Sequence, residues 1–228
     1  MFCFKNKKLD GIQKGEIRQI LKADGRRGRW DTVGSTKENI LKAALELFAK
    51  DGYEAVSVSE IAGRLGMTKG ALYKHYKNKR DIFDSIILHM QQRDAQQAEM
   101  FSLPQGTFGE MADEYKRASI QQIIDFAEAQ FEYWTQEDFA CCFRKMLTLE
   151  QYRNSGMSAL YQQYICGGPL GYVIDLFGAI GTDEPREAAL ALYAPMFLLY
   201  GMYDGCEDKE YVKELAKEHF EEMRRKLL

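Results

Sequence analysis

Six basic residues, Arg64, Lys69, Lys74, Lys77, Lys79 and Arg80, lie in a stretch that contains no acidic side chain. Tyr73, His75 and Tyr76 are interleaved with them. Cations and hydroxyls at this density suit a phosphate backbone, and the small Gly70 and Ala71 let a helix approach base edges closely. The same composition also describes the solvated face of an ordinary helical hairpin, so the surrounding elements must decide. Other chemistry is sparse. His75, His89 and His219 lie far apart in sequence, and no nucleophile, metal-ligand or phosphate-loop pattern occurs. The expectation is therefore no enzyme, no metal and no cofactor. Five cysteines, Cys3, Cys141, Cys142, Cys166 and Cys206, show no paired spacing and read as free, mostly buried thiols of a reducing compartment. Adjacent Cys141 and Cys142 point in different directions on a helix, which disfavours a thiol sensor built on them.

Helical signals surround the basic stretch. Ile40, Leu41, Ala44, Leu45 and Phe48 share one face of a first helix, with Asp51-Gly52 ending it. Ser57-Val58-Ser59-Glu60 is a capping box that opens a second helix carrying Ile61, Ala62 and Leu65. Gly66-Met67-Thr68 forms a tight turn, with Thr68 capping a short third helix over 69–75. Asn78 caps a fourth, expected to run to about residue 100 with Ile82, Phe83, Ile86, Ile87 and Met90 at helical spacing. Two short helices joined by a glycine turn make a helix-turn-helix, whose second helix fits a major groove.

These residues resemble a known family. Ala44-Leu45-Glu46-Leu47-Phe48 followed by Asp51-Gly52-Tyr53 resembles the first helix of the tetracycline-repressor (TetR) family. The run SVSEIAGRLGMTKGALYKHYKNK at 57–79 is similar to that family's signature throughout, and the resemblance covers 36–85. It implies a DNA-binding transcriptional regulator, most often a repressor, bound as a dimer to a palindromic operator and released by a small molecule. Residue by residue, it implies that Thr68 bonds a phosphate and caps the recognition helix, and that Lys69, Gly70 and Ala71 face base edges. Tyr73 falls at a recurrent DNA-contacting aromatic, Lys74 and His75 at base or phosphate positions. Lys79 would anchor a phosphate together with the N-terminal amides of its helix. Leu65, Met67 and Leu72 are expected in the core, and Tyr76 in packing.

Beyond the breaker 102–106 the pattern stays helical, without sustained period-two alternation, so the chain reads as all-α. The expected division is a basic extension at 1–34, a three-helix helix-turn-helix DNA-binding domain at 35–80, and a helical-bundle effector-binding and dimerisation domain at 81–228. A capping box at Thr107 predicts one helix to about Trp134, followed by helices at 137–151, 156–166, 169–180, 184–204 and 208–227. In the resembled family the last two long helices build the dimer. Here Ala189, Leu192, Tyr193, Met196, Phe197 and Tyr200 exceed what one covering layer needs. A single short recognition helix also offers too few base contacts for a specific site, which itself calls for a dimer. An effector pocket is drawn from Phe126, Phe131, Trp134, Phe139, Cys142, Met146, Met157, Tyr161, Tyr164 and Phe177, with tyrosine hydroxyls orienting the ligand. Gln130, Arg144, Glu150 and Asp175 are expected to be exposed or structurally paired. An architectural or activator protein without an effector stays open as the alternative.

Charge supports a division of labour. Residues 1–90 hold 18 Lys/Arg against 11 Asp/Glu, and residues 91–228 hold 13 against 23, within a total net charge of −3. Only the front half is suited to a polyanion. No apolar run approaches membrane-helix length and the start has no apolar signal core, so a cytoplasmic protein without membrane contact is expected. Residues 2–34 carry nine Lys/Arg and four Asp/Glu, and only 12–21 reads as a short helix. Either Arg26, Arg27 and Arg29 form a minor-groove arm, or translation natively begins near Val33, a valine encodable by GTG. The second reading is the one expected.

Overall fold

The structure is a computed structural model that describes residues 35–104 and 106–228. The arginines at 26, 27 and 29, the helix expected at 12–21, Cys3 and the start near Val33 lie outside the described residues. Eleven α-helices follow one another among the described residues, with no strand. They are α1 (Thr36–Asp51), α2 (Val58–Arg64), α3 (Lys69–Leu72), α4 (Lys79–Met100), α5 (Ala112–Arg117) and α6 (Ile120–Gln136). The remainder are α7 (Asp138–Glu150), α8 (Ser155–Tyr164), α9 (Gly167–Ala179), α10 (Pro185–Gly205) and α11 (Lys209–Leu227).

Local chemistry sets most of these boundaries. Ser35 and Ser57 each close a two-way capping box, with Glu38 and Glu60, at the starts of α1 and α2. Between α2 and α3, Gly66 adopts φ +64°, a left-handed conformation that other residues rarely take, and the Met67 N–H reaches back to the Ala62 carbonyl at 3.0 Å. One expectation is revised. The helix expected from Thr107 to Trp134 is two helices, because Ala118 is extended (φ −62°, ψ 148°) and Ser119 starts α6 with its own capping box to Gln122. At Thr107 the Glu110 carboxylate does fold back onto the Thr107 N–H and hydroxyl, but this closes only a turn.

Helix α1 packs against both α4 and α7, so the front of the molecule is docked on the back. α6 lies against α7, α10 and α11, which makes it the central helix expected from apolar residues on several sides. One continuous hydrophobic cluster runs from Ile40 to Met223 and crosses the expected division at residue 80 without a gap. Burying apolar area on both sides of that division ties the position of the helix-turn-helix to the helices behind it.

Candidate nucleic-acid interface

The helix-turn-helix is held from beneath. Ile61 and Leu72 are fully buried, and Leu65 and Met67 pack against the same core while remaining partly exposed. Tyr76 is buried, donates its hydroxyl to the Lys37 carbonyl at 3.3 Å, and lies under the Lys37 ammonium. Burial pushes its phenol up to about 12. Tyr76 is therefore a packing residue that ties α1 to the end of the recognition segment.

The opposite surface presents the candidate contacts. Thr68 accepts from the Ala71 N–H at 3.2 Å and caps α3. Lys69, Gly70 and Lys74 are exposed, while Ala71 and His75 are partly exposed. Tyr73 is 43% exposed, with the Lys69 ammonium 5.8 Å above its ring. No heavy atom lies within 4 Å of where a Gly70 Cβ would be, so this face is open to a partner. The regular helix is one turn, Lys69–Leu72. The chain then tightens, with Lys74 N–H on the Ala71 carbonyl and His75 N–H on that of Leu72.

Lys79 behaves differently from the other cations. Its ammonium donates to the carbonyls of Tyr53 at 2.8 Å and Glu54 at 3.2 Å, and sits 4.4 Å from the Tyr53 ring centre. Asn78 caps α4 by accepting from the Asp81 N–H, and the Asp81 carboxylate accepts from the Lys77 N–H. In this conformation the Lys79 side chain is folded back onto the α1–α2 connection.

Residues 40–86 match the family model described as bacterial regulatory proteins, tetR family. Over this N-terminal stretch the chain is similar to the DNA-binding domain of TetR-family regulators. Over 51 residues it is 45% identical to the HTH-type transcriptional regulator AcrR of Shigella flexneri, a match covering 22% of this chain and 24% of that protein. Over 55 residues it is 46% identical to the HTH-type transcriptional repressor BepR of Brucella suis, covering 24% of this chain and 26% of that one. These matches span about a quarter of either relative. The fold extends further. A solved complex of SmeT with triclosan superposes with a TM-score of 0.56 at 20% identity, over 82% of this chain and 90% of that one. SmeT is described as the repressor of the Stenotrophomonas maltophilia multidrug efflux pump SmeDEF.

Behind this helix-turn-helix, the expected effector residues divide. Phe126, Trp134 and Tyr164 converge on one interior cavity, together with Gln130, Pro169, Tyr172, Val173 and Tyr193. Its volume is about 20 Å³, roughly the space of one water molecule. Three of its polar groups are engaged: the Trp134 indole donates to Gln130 Oε1, the Tyr172 hydroxyl to the Pro104 carbonyl, and the Tyr193 hydroxyl to the Ile165 carbonyl, each at 2.9 Å. The Tyr164 hydroxyl is buried without a hydrogen-bond partner. Burial drives its pKa well above the usual phenol value.

The other expected pocket residues lie elsewhere. Phe131 stacks on Tyr200 at 5.7 Å beside Phe220. Met146 and Phe177 are fully buried core, and Tyr161 is half-buried on α8. Cys142 lines a separate cleft of about 180 Å³ between α1 and the start of α7, with Leu45, Phe139 and four charged residues. A wider cleft of about 570 Å³ separates Tyr53, Lys79 and Phe83 from the first turns of α8. Gln130 and Tyr172 join the cavity beyond the residues expected there, and Tyr193, expected at the dimer, lines it as well. Gln130 did carry a signal, being a polar residue within the most apolar stretch of α6. Arg144, expected to be exposed or paired, is buried and holds Asp204 through two bonds at 2.7 and 2.9 Å while donating to the Trp134 carbonyl.

The six residues read as surplus for one covering layer on α10 are also placed differently. Ala189, Leu192, Tyr193, Met196 and Tyr200 are buried within the chain itself, and Phe197 is partly covered. A different stripe is exposed on α10, formed by Leu190, Ala194, Leu198 and Gly201, with Leu198 at 67%.

Proposed function

We propose that the chain is a ligand-responsive transcriptional repressor that binds a pseudo-palindromic DNA operator as a homodimer. The observation that carries this reading is the recognition surface over 68–75, where exposed cations surround a glycine and an alanine at the start of a capped helix. Lys69, Gly70 and Ala71 would face base edges. Thr68, Tyr73, Lys74 and His75 would hold backbone or base, and the N-terminal amides of α4 would face a phosphate, while the Lys79 ammonium stays on the Tyr53 and Glu54 carbonyls. Dimerisation through α10 and α11 is supported by the apolar stripe Leu190, Ala194, Leu198 and Gly201, which is exposed among the described residues. Two copies would place recognition helices in major grooves about 34 Å apart.

The site for a small effector is the cavity between Phe126, Trp134, Tyr164 and Tyr172. A ligand there would have to push these side chains apart, which is the differential interaction a switch requires. The small size of this cavity favours a second reading, a constitutive DNA-binding protein without effector. Among the described residues no helix is long and apolar enough to cross a membrane.

The test is selection of bound fragments from genomic DNA, followed by footprinting. A two-fold symmetric protected site is expected, and release by a compound that also changes Trp134 fluorescence would separate the repressor from the constitutive binder. Lys74→Ala should flatten the salt dependence of log affinity by about 0.9, the loss of one phosphate contact. Protection without symmetry, or a monomer at operator-binding concentrations, would sink the reading.

A further inference from the structure

Glu150 is the last residue of α7 and is fully buried. Its Oε1 accepts from the backbone N–H of Tyr53 and from the Arg153 guanidinium, both at 2.9 Å. Its Oε2 is buried without a hydrogen-bond partner. A buried carboxylate satisfied on one oxygen only is a costly means of joining two elements, since a well-packed apolar pair avoids the desolvation. Such a group calls for a role beyond packing.

The end of α1 is built to admit it. Gly52 has φ +87°, and a Cβ there would stand 2.5 Å from both Glu150 Oε1 and Arg153 Nη1. The glycine thus serves the helix end and the approach of this carboxylate together.

The other side of Tyr53 is held by the DNA-binding domain itself. Its carbonyl and that of Glu54 accept from the Lys79 ammonium, which also covers the Tyr53 ring. So α7 grips Tyr53 by its N–H, while the first residue of α4 grips it by its carbonyl. An ammonium held by two carbonyls and a ring face has little freedom left to reach a phosphate.

We infer that Glu150 is a positioning residue for DNA binding. By fixing residues 52–54 it keeps Lys79 folded back, and movement of α7 releases that ammonium to the DNA backbone. The inference rests on the reading of the chain as a DNA-binding regulator. The salt dependence of binding to a short random-sequence duplex, followed by fluorescence anisotropy, counts the phosphates engaged and needs no knowledge of operator or effector. Glu150→Ala should steepen the log–log slope by about 0.9, one additional phosphate. That increment should vanish in Glu150→Ala/Lys79→Gln, and Lys79→Gln alone should leave the wild-type slope unchanged. Glu150→Gln retains an acceptor for the Tyr53 N–H and should keep the wild-type slope. If Glu150→Ala does not fold, Glu150→Asp, one methylene shorter, reads the same quantity. A Glu150→Ala slope equal to wild type, with only thermal stability lowered, makes Glu150 a packing residue and overturns the inference. So do a Lys79→Gln variant that flattens the wild-type slope, an increment that survives Lys79→Gln, and a Glu150→Gln slope as steep as that of Glu150→Ala. A wild-type chain that binds no duplex overturns the proposed function and this inference with it.

Discussion

In the recognition segment, the caps and turns close within five residues of sequence: Ser57 with Glu60, Met67 with Ala62, Thr68 with Ala71. In the interior behind it, polar groups find partners 28, 60 and 68 residues away, as in Tyr193 with Ile165, Arg144 with Asp204, and Tyr172 with Pro104. The first region keeps its charges outside, where solvent reaches them. The second encloses its polar groups among aromatic rings, so a ligand can enter only by displacing packed side chains. The difference predicts that substitutions in the interior act first on stability, whereas those on the recognition face act on binding alone.

The strongest way to break this contrast is at Arg144. Arg144→Ala leaves Asp204 without its guanidinium and removes the donor to the Trp134 carbonyl. It should lower the unfolding free energy by about 3 kcal/mol, the low end for a severed buried pair because Asp204 remains partly exposed. Lys74→Ala should stay within about 0.5 kcal/mol of wild type. Denaturant titration of both variants decides, and equal losses would erase the distinction between the two regions.

A smaller effect should appear where the regions meet. His89 on α4 packs on Phe139 with ring centres 4.6 Å apart, and its Nε2 accepts from Arg93, which pairs with Glu137 at 2.7 Å. Burial first, and the Arg93 charge second, push His89 down to about 4, against the opposing pull of Glu137 and Glu38. The folded state therefore prefers the neutral ring, and its contribution is present above the unfolded value near 6.5 and is lost as pH falls towards 4. Between pH 7.5 and 5 this linkage should remove about 2 kcal/mol of stability. Guanidinium titrations at both pH values should show that extra loss in wild type and not in His89→Gln. An unchanged pH dependence in the variant would mean that His89 is solvated and the junction looser than described.

The smallest effect sharpens the picture of the cavity. Tyr164→Phe removes a buried hydroxyl that has no partner, and should leave stability unchanged or raise it by up to about 1 kcal/mol. A thermal melt that instead shows clear destabilisation would reveal a partner, such as a bound water, for that hydroxyl.

Much of the helix-turn-helix was legible in the sequence. Capping boxes, the glycine turn and the spacing of Ile61, Leu65 and Leu72 are signals written within a few residues, and the structure repeats them with small shifts. The break at Ala118 and Ser119 was also written locally, as a Ser-x-x-Gln capping box, but the apolar pattern running through it concealed the signal. The pocket was less legible. Phe126, Phe131, Trp134 and Tyr164 are equally aromatic, yet Phe131 turns towards Tyr200 and Phe220 while the other three face the cavity. Composition cannot separate them, because the direction a side chain takes depends on which helix covers that face.

Sequence alone determined the helix-turn-helix and the order and type of nearly all helices, because each rests on short-range hydrogen bonds and hydrophobic periodicity. Only the tertiary structure decided that Lys79 folds back on the Tyr53 and Glu54 carbonyls and that Glu150 holds Tyr53 from the other side. It also decided that the exposed stripe on α10 is Leu190, Ala194, Leu198 and Gly201. Those outcomes depend on which distant helices share a core, and that is settled by the packing of the whole chain rather than by any local run of residues.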